Sequence, residues 1–149
     1  MQIRRDDVRR RALDALKESD VLMVDGHFDY GNGFHGRVYL NPHQLFRQPS
    51  LIWRVAQDLL DIVPYELAES VELVAGPVTG GALLAHTLAG LLDGRRSLSH
   101  PPTQFAPFTY EPGAGLILQR SYASAIAGRR VLLADDVRNT GKTFDRCAG

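Results

Sequence analysis

Apolar residues recur at helical spacing in two parts of the chain. The first predicts an amphipathic helix over residues 5–18, with one face formed by Val8, Ala12, Ala15 and Leu16. The second predicts a helix with Ser50 as its N-cap and an apolar stripe that ends before Pro64. Short apolar runs at residues 21–24 and 37–40 lie between the two helices, and the second run suggests a strand.

Two continuous apolar runs in the second half predict buried parallel strands, Val71–Ala75 and Val131–Ala134. The first strand leads into a glycine-rich turn and a helix over 82–92 that ends at Gly94. Residues 97–115 contain four of the eight prolines and predict an irregular or mobile loop. The alternation of strands and helices favours an α/β fold with a doubly wound, mostly parallel sheet.

Composition and charge exclude several classes of protein. The 149 residues have no net charge, so nothing favours nucleic acid as a partner. The arginines near the N-terminus alternate with aspartates, which favours a solvated helix face over a nucleic-acid patch. A single cysteine, Cys147, excludes an internal disulfide and suits a cytoplasmic location. No 18-residue apolar run predicts a membrane span, and the five histidines have no metal-ligand spacing that would predict a zinc site.

The strongest chemical signal follows the second buried strand. Asp135 and Asp136 stand where that strand ends, at the edge of the sheet where α/β proteins bind ligands. They offer acceptors for hydroxyl groups or a metal ion. The loop that follows contains backbone N–H groups, hydroxyls and a lysine that suit a phosphate, over Val137, Arg138, Asn139, Thr140, Gly141, Lys142 and Thr143. A ribose 5-phosphate carries both a diol and a phosphate.

Two other interpretations of this loop are possible from the sequence. The triplet Gly141-Lys142-Thr143 is typical of the end of a nucleoside-triphosphate P-loop, but that motif needs a glycine at position 136. An aspartate there would repel a triphosphate. The second alternative is a core strand that ends in a solvated pair of aspartates.

The turn Gly76–Gly81 is a second candidate anion site. Its glycines allow close approach of a ligand to the backbone, and the N–H groups of the following helix face outwards. A tight turn needed only for packing is the alternative. Together, the two loops would flank a diol site with two anion sites, which is the layout of phosphoribosyl pyrophosphate (PRPP).

The motif around Asp135 resembles the PRPP-binding motif of type I phosphoribosyltransferases. Residues 33–41 and 45–49 are similar to the N-terminal hood of orotate phosphoribosyltransferases, and Gly76–Ala85 is similar to that family's pyrophosphate loop. The resemblance covers about residues 5–95 and 125–149. It implies one domain over residues 1–149, with a hood at about 20–48 and a core at about 50–149.

The resemblance also implies roles for individual residues. Asp135 and Asp136 would act as the catalytic pair that holds the ribose hydroxyls, and they would meet Mg²⁺ indirectly through PRPP. Residues 137–143 would bind the 5-phosphate, whereas pyrophosphate would meet Val78, Thr79, Gly80 and Gly81. Tyr39 and Leu40 would line the base pocket, and His35 is a candidate ligand contact.

Three departures from the family pattern affect the expected activity. Gly31 stands where the hood has a lysine, and Phe108–Gly113 lacks the cations of the mobile catalytic loop. The chain also stops before the arginine that binds the orotate carboxylate, so we expect a truncated C-terminus. We expect orotate and PRPP to give orotidine 5′-phosphate and pyrophosphate, in a homodimer if the chain is complete. The alternatives are transfer to another base and a non-catalytic PRPP- or nucleotide-sensing module.

Overall fold

The chain divides into two compact units. In the computed structural model, which describes residues 2–138 and 140–149, these units are Met1–Ile62 and Val63–Gly149. The single domain predicted from the resemblance stays a prediction. The helix of residues 49–62, which we expected at the start of the core, belongs to the first unit.

Over residues 2–62, the structure shows three helices and four two-residue strands. In chain order they are α1 (Gln2–Glu18), β1 (Leu22–Met23), β2 (Phe28–Asp29), β3 (His35–Gly36), β4 (Tyr39–Leu40), α2 (Pro42–Phe46) and α3 (Pro49–Ile62). The predicted N-terminal helix is confirmed. The segment 26–36, for which no strand was predicted, contains β2 and β3 as an antiparallel pair, and β1 pairs with β4.

Helix α3 buries one stripe of side chains, and α1 packs against it. The buried residues of α3 are Leu51, Ile52, Ala56 and Leu60. Arg11 of α1 forms an ion pair with Asp58 of α3, as expected for arginines on a solvated face. The predicted N-cap was wrong: α3 begins at Pro49, so Ser50 lies inside its first turn. Proline suits the first helical position because the N–H that it lacks would have no acceptor within the helix.

The second unit contains a four-stranded sheet and four helices. Its elements are α4 (Tyr65–Ser70), β5 (Leu73–Pro77), α5 (Gly80–Arg95), β6 (Gln104–Glu111), β7 (Gly115–Leu118), α6 (Arg120–Ile126), β8 (Val131–Leu133) and α7 (Lys142–Ala148). None of the helices among the described residues has the length and apolar character to cross a membrane.

The sheet has the order β7-β6-β5-β8 and is mostly parallel. Strand β5 pairs in parallel with β6 and with β8, whereas β6 and β7 are antiparallel. The predicted α/β class is therefore confirmed. All five residues of β5 are buried, but those of β8 are only half-buried because β8 is the last strand in the sheet order.

Two local predictions in this unit were wrong. Helix α5 continues through Gly94 to Arg95, because Gly94 keeps a helical backbone and forms no left-handed cap. The segment 97–115, predicted as an irregular loop, contains β6 and the first residue of β7, and a tight turn at residues 112–114 joins the two strands. Pro107 is compatible with β6 because the β6–β7 ladder begins only at Phe108.

Candidate diol- and phosphate-binding site

Two loops of the second unit meet at the carboxyl ends of β5 and β8. A Cβ atom added at Gly81 would lie 2.8 Å from Oδ1 of Asp135 and 3.0 Å from the carbonyl oxygen of Ala134. A Cβ atom at Gly76 would lie 2.6 Å from the same Ala134 oxygen. A side chain at Gly76 would collide with the backbone of Gly81 and Ala134, and one at Gly81 would collide with the Pro77 ring and the Asp135 carboxylate. The glycines therefore allow the turn after β5 to lie directly against the start of the acidic loop.

The turn after β5 is held by hydrogen bonds at both ends. Val78 donates its N–H to the carbonyl of Phe108 at 2.8 Å, and Leu83 donates to the carbonyl of Thr79 at 3.1 Å. The peptide bond between Val78 and Thr79 is cis. Helix α5 begins at Gly80, so the first amides of this 16-residue helix have no acceptor within it. Free amides and the helix dipole favour an anion at a helix N-terminus, and this end of α5 lies against Asp135 at the same edge of the sheet.

The two acidic residues are adjacent and half-buried. The backbone N–H of Asp136 donates to Oδ1 of Asp135 at 2.9 Å, which orients the Asp135 carboxylate. Burial, together with the neighbouring Asp136 side chain, raises the pKa of Asp135 from 3.8 to about 6. Close carboxylates with a raised pKa are typical of a site completed by a ligand that donates hydrogen bonds or carries positive charge.

The predicted 5-phosphate loop leads from Asp136 into α7. Gly141 caps α7 in the left-handed conformation with φ of 87°. The guanidinium of Arg138 lies close to it, with Nε 3.5 Å from the position of a Gly141 Cβ. Lys142 donates its backbone N–H to Oγ1 of Thr140 at 3.4 Å. Helix α7 begins at Lys142, so the last two residues of the predicted 5-phosphate loop belong to this helix. Asn139 lies outside the described residues.

The predicted site residues thus fall into two groups. The second unit brings together the pyrophosphate turn and the acidic pair, which continues directly into the 5-phosphate loop. The base-pocket residues Tyr39 and Leu40 lie in the first unit, on β4 opposite Met23 and Leu22. Tyr39 stacks on Phe28 with ring centroids 5.6 Å apart. Their assignment to a base pocket stays a prediction.

The stretch aligned with a mobile catalytic loop forms a hairpin. Phe108, Thr109 and Tyr110 pair with β7, and Ala114 donates its N–H to Glu111 at 3.1 Å to close the turn. The side chain of Tyr110 is exposed in this hairpin. The sequence signal for a hairpin was the pair of glycines at 113 and 115, both of which have positive φ. Sequence reasoning missed it because the prolines favoured a loop.

The site also supplies oxygen ligands suited to Mg²⁺. Carboxylate oxygens are preferred by this ion, which usually keeps several waters and takes further oxygens from substrate phosphates. Among residues 2–138 and 140–149, no cluster of three or more histidine, cysteine, aspartate or glutamate side chains is placed to hold a metal ion. The acidic pair therefore fits Mg²⁺ only as part of a set that a phosphorylated ligand completes.

Similar proteins identify the class to which this arrangement is related. No family model matches the chain. Orotate phosphoribosyltransferase of Acidithiobacillus ferrooxidans is 27% identical over 133 residues, which are 89% of this chain and 63% of that protein. Orotate phosphoribosyltransferase of Sphingopyxis alaskensis is 30% identical over 131 residues, which are 88% of this chain and 58% of that protein. The chain thus spans about 60% of the length of these relatives.

Solved structures agree on the fold. The orotate phosphoribosyltransferase of Aeropyrum pernix superposes with a TM-score of 0.62 at 24% identity, over 89% of this chain and 68% of that one. The enzyme of Francisella tularensis gives 0.59 at 18% identity, over 91% and 60%. The chain therefore has the fold of the type I phosphoribosyltransferases. Its resemblance to orotate phosphoribosyltransferase, predicted from the motifs, is confirmed.

Proposed function

We propose that the chain is a phosphoribosyltransferase domain that binds PRPP with Mg²⁺ and transfers the phosphoribosyl group to orotate. The products would be orotidine 5′-phosphate and pyrophosphate, as in pyrimidine nucleotide synthesis. The observation that carries the proposal is the approach of Gly81 to the Asp135 carboxylate. It sets the glycine-rich turn beside the two aspartates, and the relatives named orotate phosphoribosyltransferase support the choice of reaction.

Each part of PRPP has a chemically matched part of the site. Asp135 and Asp136 accept hydrogen bonds from the two ribose hydroxyls, which are charge-assisted and worth about 1.5–3 kcal/mol each. The amides and hydroxyls of residues 137–143 hold the 5-phosphate, with the Arg138 guanidinium as an additional cation. Residues 78–81 and the first amides of α5 receive the pyrophosphate.

The transfer step requires stabilisation of charge that develops as the anomeric bond breaks. Negative charge grows on the departing pyrophosphate, and positive charge grows on the ribose ring. When bound, Mg²⁺ neutralises part of the pyrophosphate charge. The protein's own contribution is the amide groups that follow Thr79 and the orientation of the ribose by the acidic pair. Strand β6 has no lysine that could contact the phosphates, because Thr109 and Tyr110 stand where the family has its cations.

A non-catalytic PRPP- or nucleotide-sensing module is the second candidate. The absence of lysine from the β6–β7 hairpin favours this module. The chain has only two lysines, Lys17 and Lys142, and neither lies in the hairpin. Loss of one charge-stabilising contact costs about 3–4 kcal/mol by analogy with an oxyanion donor. Transfer to a base other than orotate is also part of the proposal, because Tyr39 and Leu40 are the only base-pocket residues that we assign.

The test is an assay in which orotate, PRPP and Mg²⁺ are incubated with the protein and chromatography measures the orotidine 5′-phosphate formed. We expect turnover well below the usual range for enzymes of about 1–10³ per second. PRPP binding without product from orotate or from any other base would favour the sensing module. A folded protein that binds no PRPP would refute both candidates.

The cellular setting is proposed on the same basis. We propose a cytoplasmic protein with PRPP and a nucleobase as its partners, without nucleic acid or membrane contacts, and assembly as a homodimer if the chain is complete. Light scattering on the full-length protein tests the assembly. A folded, full-length protein that scatters only as a monomer at micromolar concentration would contradict the dimer.

A further inference from the structure

Two histidines of the first unit face each other across the β2–β3 hairpin. Nε2 of His27 lies 3.0 Å from Nδ1 of His35, and the ring centroids are 5.1 Å apart. Both side chains are exposed, so an ion from solvent can reach them. Neither residue belongs to the acidic pair or the phosphate loops. The sequence gives no sign of this pair, because the two histidines are eight positions apart.

The strand register explains why the rings meet. Asp29 lies opposite His35 in the antiparallel pair, and His27 is two residues before Asp29. Side chains two apart on a strand share a face, so His27 and His35 are diagonal neighbours on the face that also carries Asp29. Three hydrogen bonds fix the hairpin turn: Asp29 Oδ1 accepts the Gly31 N–H at 2.8 Å, Asn32 Oδ1 accepts the Phe34 N–H at 3.1 Å, and Tyr30 donates its N–H to the Phe34 carbonyl at 2.9 Å.

The separation of the two nitrogens matches two neighbouring ligand positions on a transition metal. Two metal–nitrogen bonds of about 2.0–2.1 Å that meet at a right angle place their nitrogens about 3.0 Å apart, and a tetrahedral angle places them about 3.4 Å apart. Right angles are the preference of Cu²⁺ and Ni²⁺ in square-planar or tetragonal sites. The observed 3.0 Å is that of a hydrogen bond between the rings, so it shows that both nitrogens can reach one ion. The preference for Cu²⁺ and then Ni²⁺ follows from the order in which imidazole sites bind divalent first-row metals.

We infer that His27 and His35 form a two-histidine binding site for a divalent transition metal ion, with Cu²⁺ bound most tightly and Ni²⁺ next. Water completes the coordination, because the described residues contain no cluster of three metal-binding side chains. Each ring binds through a nitrogen lone pair, so the proton now shared by the two rings moves to the outer nitrogen of its ring. The bound ion links β2 to β3 and thereby stabilises the hairpin against opening.

This site differs chemically from the one at the sheet edge. Imidazole nitrogens prefer copper, nickel and zinc, whereas the carboxylates of Asp135 and Asp136 prefer Mg²⁺. Mg²⁺ in large excess should therefore leave the hairpin ion in place. The inference stands independently of PRPP binding, and neither readout below involves catalysis.

The experiment is a titration of the folded protein with Cu²⁺ and, separately, with Ni²⁺. Calorimetry should show one tight equivalent, and the Cu²⁺ spectrum in electron paramagnetic resonance should show two coordinating nitrogens. His27→Gln and His35→Gln should each lower the Cu²⁺ affinity at least tenfold. His43→Gln, which changes an exposed histidine of α2 in the same unit, should leave the affinity unchanged.

Thermal unfolding provides a second readout. The melting temperature of the unchanged protein and of His43→Gln should rise on addition of Ni²⁺, and that of either hairpin variant should not. Cys147→Ser tests the thiol as a competing ligand and should behave like the unchanged protein. The inference is overturned if both hairpin variants keep the Cu²⁺ affinity, or if the spectrum shows only one nitrogen ligand.

Discussion

Replacing Asp135 by Asn should make the protein more stable at neutral pH while it removes a ligand contact. Burial and the adjacent Asp136 raise the pKa of Asp135 from 3.8 to about 6. The folded state therefore holds this proton more tightly than the unfolded state. Stability from this group is fully present below pH 3.8 and is lost as the pH rises to about 6. Above that pH, the ionised carboxylate opposes folding.

The size of the effect follows from the pKa difference. Without any screening by solvent, a rise of the pKa from 3.8 to about 6 corresponds to about 3 kcal/mol in the free energy of unfolding. Asp135 is only half-buried, so screening by solvent reduces the expected gain to about 1–2 kcal/mol. Asparagine keeps an oxygen that can accept the Asp136 N–H, so the local hydrogen bond survives the change.

The assay is urea unfolding of the unchanged protein and Asp135→Asn at several pH values between 4 and 8. The free energies of unfolding should agree near pH 4 and diverge towards pH 8, with the variant more stable. Asp14→Asn, at an exposed position of α1, is the control for the loss of a carboxylate elsewhere in the protein. A variant that is less stable at pH 8, or a difference that does not change with pH, would refute the account of this carboxylate.

Two further predictions concern glycine contacts and strand ends. Gly81→Ala should weaken PRPP binding at least tenfold in calorimetry, because the new methyl group meets the Asp135 carboxylate. The control is Gly90→Ala in the same helix, where a methyl group has free space. This variant should raise the free energy of unfolding by about 0.5–1 kcal/mol and leave PRPP binding unchanged. Normal PRPP affinity in Gly81→Ala would contradict the contact between the loops. The backbone N–H of Arg130 donates to the Glu72 carboxylate and lowers the pKa of Glu72 below 4.5, so Glu72→Gln should lower the melting temperature at pH 7. This loss of melting temperature should shrink as the pH falls through the lowered pKa. A loss that is the same at every pH would contradict the role of the carboxylate.

The sequence predicted the central elements of the fold because their signals are local. The apolar runs before Gly76 and Asp135 became β5 and β8, and the predicted helix α1 was confirmed. Strand β6 was not predicted because it contains Pro107, and proline usually argues against a strand. The missing N–H of Pro107 does no harm here, because the pairing of β6 with β7 begins one residue later. Strand partners are set by tertiary contacts that a local pattern does not contain.

The candidate site shows the same division. Each loop was predicted from its own residues, but the approach of Gly81 to Asp135 joins segments more than fifty residues apart. The raised pKa of Asp135 likewise depends on burial, which the sequence does not specify. His27 and His35 were not predicted as a pair because their contact depends on the hairpin register.

The most direct test of the account is calorimetry of PRPP with Mg²⁺ on the unchanged protein and on the double variant Asp135→Asn/Asp136→Asn. The account predicts weak but measurable binding to the unchanged protein, and affinity lower by tens-fold or more in the double variant, since two charge-assisted contacts to the ribose hydroxyls are lost. Pyrophosphate alone, which has no ribose, should bind both proteins about equally. Equal PRPP affinity in the two proteins would contradict the assignment of the acidic pair to the ribose hydroxyls.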